Sequence, residues 1–220
     1  MISAVVVTLN AAKVLKNCLE SVKEEAHEIV VVDLGSGDAT IKIAREFNAK
    51  VIFHECVDYV EKVRNFAVSK AVGEWILVLD PDERVTPDLW EKLKEVIAKN
   101  KYMAVNIPRK NIFFGRWIAH TNWWPDRHVR FFKKGKVSWT DKIHHYPLVE
   151  GAILNLASRE DLAIKHYGYS SIEEFIERQI RYSTIEARDR FELGERFSCP
   201  KYYWKPTRQY LVRFIKHLGF

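Results

Sequence analysis

The run Trp75-Ile76-Leu77-Val78-Leu79 constrains this chain more than any other stretch. Consecutive apolar residues without alternation are what a strand needs when both of its faces are covered, as in the middle of a parallel sheet. The run stops at Asp80-Pro81-Asp82-Glu83-Arg84, which packs three carboxylates into four residues. The i, i+2 spacing of Asp80 and Asp82 gives one acidic edge at a rigid strand end, a place where a hard divalent cation finds oxygen ligands. An acidic turn capping the next helix would use the same residues, so the choice depends on what surrounds them.

Upstream, strand-like and helix-like patterns alternate. Apolar runs at residues 2–9, 28–32 and 50–53 read as strands. Between them, residues 11–24 place Val14, Leu15, Cys18, Leu19 and Val22 on one helical stripe, and a second helix is expected over 41–47. A helix through Val63, Phe66, Ala67 and Ala71 precedes Gly73, and residues 87–99 form another, with Thr86 as N-cap and Pro87 at the first helical position. This order predicts an α/β fold, a doubly wound and mostly parallel sheet with helices on both faces. Ligands of such sheets bind outside the carboxyl ends of the strands. Thr8, Leu9, Asn10, Asp33 and Asp80 are therefore expected on one rim.

From Met103 the pattern changes to short strands (103–107 and 129–132 the clearest) and loops, up to about residue 163. Helical periodicity returns over 171–190, a turn holds Gly194 and Pro200, and a last helix is expected from about Thr207 to Leu218. The formal charge of +6 is unevenly placed: Arg, Lys and Trp crowd residues 109–136, and the final twenty residues carry no acid. That half suits an anionic substrate or a membrane surface. Three cysteines without metal spacing (Cys18, Cys56 and Cys199) suggest reduced thiols. No signal peptide or spanning segment is visible. The expected location is cytoplasmic, at most peripheral on the inner face of the cell membrane.

Two further features carry chemistry. The turn Asp33-Leu34-Gly35-Ser36-Gly37-Asp38 sets a carboxylate at a strand end before a helix start, which suits a nucleotide base or ribose beside a phosphate. It lacks the third glycine of the dinucleotide fingerprint, and a tight turn needing glycine would look the same. Arg64-Asn65 lies in the helix before the anchor strand, where a guanidinium can fork onto diphosphate oxygens or simply face solvent.

The ordered set resembles the inverting family-two glycosyltransferases of GT-A fold, most of all the subgroup that builds lipopolysaccharide cores and glycolipids. The matching residues are 5–10, 31–40, Arg64-Asn65-Phe66-Ala67 and Asp80-Pro81-Asp82-Glu83-Arg84, continuing through 125–132, Ile143-His144-His145, His166-Tyr167 and Arg181-Tyr182-Ser183. The resemblance implies a GT-A domain over 1–168, with a nucleotide-sugar half (1–100) and an acceptor half (101–168). The helical periodicity of residues 169–220 adds an expected C-terminal helical extension, whose composition suits association with a membrane or a homodimer partner.

By that resemblance Thr8, Leu9, Asn10, Asp33 and Gly35 hold the uracil and ribose of a UDP-sugar, and Arg64 helps place the nucleotide. Asp80, Pro81 and Asp82 form the DxD clamp, with Asp82 on Mn²⁺ or Mg²⁺. The metal acts as a Lewis acid toward the departing UDP. Relatives carry His-Glu where this chain reads His144-His145, so the general base is open between His145, Asp141 and Asp126. His144 and His166 are candidates to complete the metal site. Arg127 and Arg130 either meet anionic acceptor groups or pair with Asp126. Of Trp117, Trp123 and Trp124, two are expected in the core and one beside the acceptor.

The activity expected is metal-dependent, inverting transfer of a hexose from a UDP-sugar to a sugar or lipid-linked glycan in cell-envelope or glycolipid synthesis. A sugar-phosphate nucleotidyltransferase is the rival enzyme, although Asn10-Ala11-Ala12-Lys13 lacks the glycine-rich loop such enzymes carry. A non-enzymatic nucleic-acid or membrane binder is the other rival. Strand-end carboxylates facing the cleft argue against nucleic acid. The C-terminal helix, with Leu211, Phe214, Ile215 and Leu218 on one face, has the composition of an interfacial helix attracted to anionic lipid.

Overall fold

A computed structural model gives the structure of the chain and describes residues 1–57, 60–120, 123–140, 146–196 and 198–216. The chain divides into two compact units, Met1–Gly168 and Tyr169–Phe220. In the first unit the strands are β1 (Ile2–Thr8), β2 (Glu28–Asp33), β3 (Lys50–Phe53), β4 (Trp75–Leu79), β5 (Glu83–Arg84), β6 (Ala104–Phe113), β7 (Arg116–Trp117), β8 (Asp126–Lys133), β9 (Val137–Ser138), β10 (Leu148–Val149), β11 (Ile153–Asn155) and β12 (Ile164–Tyr169). Its helices are α1 (Ala12–Glu20), α2 (Thr40–Glu46), α3 (Glu61–Ser69) and α4 (Pro87–Lys99).

The main sheet runs β3-β2-β1-β4-β8-β6-β12-β5. Its first four strands are parallel, and β8 enters antiparallel to β4. The expected α/β fold with a mostly parallel first half and a mixed second half is what forms. Alternation along the strands explains why helices cover both faces. Ala4 and Val6 of β1, with Leu77 and Leu79 of β4, pack in one cluster with Leu15 and Leu19 of α1 and Leu89 and Leu93 of α4. Val5 and Val7, with Ile76 and Val78, pack in the other with Val63 and Ala67 of α3. Every residue of β1 and β4 is buried, as the unbroken apolar run demanded.

Local signals set the boundaries. Thr86 Oγ1 accepts from Leu89 N at 3.2 Å and Pro87 opens α4, which ends at Asn100 in the left-handed region. Gly73 lets the chain enter β4 against β1: a Cβ there would lie 2.6 Å from Ser3 Oγ and 2.7 Å from Ser3 N. Because one of those neighbours is backbone, Gly73→Ala is expected to lower stability by about 1–3 kcal/mol. A urea melt reads this as a lower midpoint at unchanged slope.

The second unit holds α5 (Ile172–Glu192) and α6 (Cys199–Lys216). Ser171 caps α5 by accepting from Glu174 N at 3.2 Å. The expected start of the last helix at Thr207 was too late, because α6 begins at Cys199 and runs through Pro206. A proline inside a helix removes one N–H, which breaks the local signal for continuation. Here the bond lost is the one to the carbonyl of Tyr202, a residue exposed to water.

Candidate active site

Parallel pairing aligns the strand ends. Thr8 sits opposite Asp33 in the β1–β2 register, and Leu79 opposite Val6, so Asp80 emerges on the same rim. The loops behind that rim are laced together. Asn10, in the left-handed region, accepts from Gly37 N at 2.9 Å, Asn10 N donates to Ser36 Oγ at 2.8 Å, and Ala11 N donates to Thr40 Oγ1 at 2.8 Å. Asp33 is fully buried. Its Oδ2 accepts from Gly35 N and Ser36 N at 3.0 and 2.9 Å. Gly35 takes φ +97°, which the turn reserves for glycine. Asp33 Oδ1 and Thr8 Oγ1 are buried and have no hydrogen-bonding partner among the described residues. Unmatched buried polar atoms cost about 1–3 kcal/mol each, so this pair at adjoining strand ends calls for a polar partner that the described residues do not supply. Leu9 is exposed beside them.

Past the rim, a network of alternating charges begins at Asp80. Arg64 donates to Asp80 Oδ1 at 2.9 Å, and Arg130 donates to Asp80 Oδ2 at 2.5 Å. Arg130 also donates to Glu83 Oε1 at 2.7 Å, with Arg109 3.4 Å from the same oxygen, while Glu83 Oε2 accepts from Asp80 N at 2.9 Å. Arg109 then forks onto Asp126 Oδ2 at 2.9 and 2.6 Å. Burial pushes the Asp80 carboxyl up, but the guanidinium groups of Arg130 and Arg64 outweigh it and hold it well below the usual carboxylate range.

Asp126 behaves similarly: burial opposes ionisation, while the hydrogen bond from His128 and the charge of Arg109 drive its pKa far down. Burial lowers the pKa of His128, so its ring is neutral at pH 7 and donates from Nε2 to Asp126 Oδ1 at 2.9 Å.

A second branch reaches Asp82. Tyr167 N donates to Asp82 O at 2.9 Å, and β12 pairs with β5 so that His166 faces Glu83. His166 Nε2 lies 3.5 Å from Asp82 Oδ2. Asn111, fully buried on β6, controls that ring. Its Nδ2 donates to Trp123 O at 2.9 Å and Asp126 Oδ2 at 3.1 Å, which leaves Oδ1 to accept from His166 Nδ1 at 2.6 Å. With Nδ1 donating to Asn111, Nε2 is the ring nitrogen turned toward Asp82. Gly168 makes room for the ring, since a Cβ there would lie 2.6 Å from Phe113 and 2.7 Å from His166. A carboxylate oxygen and a ring nitrogen thus face each other at the strand end. Among the described residues no group of three His, Cys, Asp or Glu could hold a metal.

The structure brings together Thr8, Asn10, Asp33 and Gly35 in one cluster, and Arg64, Asp80, Asp82, Asp126 and His166 in the charge network, with Pro81 spanning the two aspartates. His144, His145 and Asp141 lie outside the described residues. Both oxygens of Asp80 accept from an arginine, Oδ1 from Arg64 and Oδ2 from Arg130. Asp126 is a poor proton acceptor, because Arg109, Asn111 and His128 donate to it and its pKa is depressed. Arg130 pairs with Asp80 and Glu83 rather than Asp126, and Arg127 donates to Leu156 O and Ser158 Oγ.

The tryptophans also differ from expectation. All three are half-buried: Trp117 meets Trp124 edge-on at 5.4 Å, and Trp123 meets Phe113 at 5.0 Å. Glu83 enters the sequence reading only as the third carboxylate of the acidic strand end and Arg109 only as the start of the basic stretch, while Asn111 carries no local signal beyond its polarity on β6.

Polar atoms and carboxylates at the carboxyl ends of parallel strands lie where the ligands of α/β sheets bind. The chain belongs to glycosyl transferase family 2, whose profile matches residues 3–154. It is 30% identical over 210 residues to an uncharacterised glycosyltransferase of Rickettsia felis, covering 90% of this chain and 72% of that protein. It is 26% identical to the lipopolysaccharide core biosynthesis glycosyltransferase LpsC of Rhizobium meliloti, covering 98% of this chain and 81% of LpsC. A TPR repeat-containing protein of Synechococcus elongatus is 30% identical over 76% of this chain, which spans only 42% of that relative's length. Among solved structures, TarS 1-349 of S. aureus superposes with a TM-score of 0.58 at 19% identity, over 76% of this chain and 60% of that one. The fold is thus of the GT-A type. No helix of the described residues is long and apolar enough to cross a membrane.

Proposed function

We propose that this chain transfers a hexose from a UDP-sugar to a hydroxyl of a sugar or lipid-linked glycan, with inversion at the anomeric carbon. The observation that carries the donor half is the pair of orphaned buried atoms, Thr8 Oγ1 and Asp33 Oδ1, at adjoining strand ends. An imide N–H of uracil is a donor that Asp33 Oδ1 lacks, and ribose hydroxyls suit Thr8 and Asn10. TarS, which shares the fold, is known in complex with UDP and with UDP-GlcNAc. The likeness to LpsC supports a cell-envelope glycan as acceptor. In this reading residues 1–100 carry the donor and 101–168 the acceptor.

Two of the residues present would serve a divalent cation as ligands: Asp82 Oδ2 and His166 Nε2 face each other at 3.5 Å, and Asn111 fixes the orientation of the ring through Nδ1. A mixed nitrogen and oxygen set suits Mn²⁺ better than Mg²⁺, which prefers oxygen alone. When bound, the cation supplies Lewis-acid stabilisation of charge on the diphosphate. The chain's own residues do the rest. Arg64 and Arg130 hold Asp80 ionised and fixed beside the donor. A base takes the proton of the acceptor hydroxyl as its oxygen bonds to the anomeric carbon and the bond to UDP breaks. Asp126 is too weak a base for this, so His145 and Asp141 are the candidates.

A thermal-shift panel of UDP-, GDP- and dTDP-sugars with Mn²⁺ tests the donor. At a hundredfold excess over Kd, a UDP-sugar is expected to raise the melting temperature by about 5–10 °C, with smaller shifts for the others. Equal or absent shifts would sink the reading. Diphosphate release from UTP and a sugar phosphate would favour a nucleotidyltransferase instead.

A further inference from the structure

We infer that α6 is a docking helix for an anionic bilayer surface. Over residues 196–220 the sequence holds no Asp or Glu, against six Lys or Arg. At 100° per residue, Tyr203, Trp204, Tyr210, Leu211, Phe214 and Ile215 fall within an arc of roughly 140°. All six are exposed, Trp204 to 66% and Ile215 to 71%. Lys205 and Arg208 lie outside that arc, and the helix register puts positions 201, 213 and 216, all basic in the sequence, on the same side. The opposite arc holds every basic position of the helix, with Tyr202, Gln209 and Val212 among them. An uncharged apolar face opposite one that carries all the cations is the pattern of a helix that lies in the lipid interface. Tyr and Trp rings suit headgroup depth, with the apolar body inward and the polar edge wet.

Charge selects the occupant. A second copy of this segment would bring a like-charged helix to the same face. An anionic lipid surface is complementary to every charged residue of α6. A helix that lies on the surface needs no spanning length, in keeping with the lack of a membrane-crossing helix among the described residues. The inference goes beyond the proposed transfer, and it is measured without donor or metal, so either idea can fail alone.

The test is co-sedimentation of the full chain with vesicles of phosphatidylcholine alone or mixed with phosphatidylglycerol, at low and high salt. Binding to the mixed vesicles that high salt releases is expected, with little binding to phosphatidylcholine. Lys205→Gln with Arg208→Gln is expected to lower partitioning about thirtyfold, at ~1 kcal/mol per cation. Phe214→Glu with Ile215→Glu is expected to abolish it, while circular dichroism confirms that each variant is folded. No vesicle binding by the full chain, equal binding to both lipids, or binding that survives Phe214→Glu with Ile215→Glu would each overturn the inference. So would a dimer that Ile215→Glu dissociates in a chain that ignores vesicles.

Discussion

Asp82→Ala is expected to abolish sugar transfer and weaken Mn²⁺-dependent UDP binding by more than a hundredfold, while the chain stays folded. The size follows from the neighbouring shell. Removing a group that only orients a metal-binding imidazole costs about 10–100-fold in metal affinity, and Asn111 is such a group for His166. Asp82 would contribute an oxygen directly, so its loss must cost more than Asn111→Ala. Stability is spared because, among the described residues, the side chain of Asp82 shows no hydrogen bond and meets His166 at 3.5 Å. Isothermal titration of UDP with and without Mn²⁺ separates the two contributions. The metal-dependent part is expected to vanish in Asp82→Ala and the metal-independent part, carried by Asp33 and Thr8, to persist. Full transfer by the variant would remove the metal clamp from the mechanism.

The contrast between Asp82 and its neighbour Asp80 shows where sequence reading stops. Both are strand-end carboxylates two residues apart, and nothing local tells them apart. What separates them is the antiparallel entry of β8 beside β4, which sets Arg130 against Asp80, and the pairing of β12 with β5, which sets His166 near Asp82. Those partners are 50 and 84 residues away along the chain, a separation no periodicity encodes. The rim at Thr8 and Asp33 was readable because a βα unit is local: an apolar run, a polar stop and a turn. Glu83, Arg109 and Asn111 were not, since each has meaning only through a strand from elsewhere. The start of α6 differs from expectation for the opposite reason, a strong local signal at Pro206 that the helix overrides.

Glu83→Ala is expected to produce the largest loss of stability in the molecule. The carboxylate is wholly buried, accepts from Arg130 and Arg109, and takes the backbone N–H of Asp80. Its removal leaves buried guanidinium charge short of a partner and an amide without an acceptor. Breaking one side of a buried ion pair costs about 3–5 kcal/mol, a fall in melting temperature on the order of 10 °C for a chain of this size. Glu83→Gln keeps an acceptor for the amide and removes the charge, so it is expected to fall between wild type and Glu83→Ala.

The same network makes the fold acid-labile. Asp80 and Asp126 both hold pKa values below those of the unfolded chain. Their contribution is complete above the unfolded value near pH 4, where both states are ionised, and is lost as pH falls further because the unfolded chain then binds more protons. Urea midpoints are therefore expected to be level near neutrality and to fall steeply below about pH 5. In Asp126→Asn that acid slope is expected to flatten, because one of the two depressed carboxyls is gone. A stability that rose on acidification would mean that these arginines do not hold the carboxylates ionised in solution.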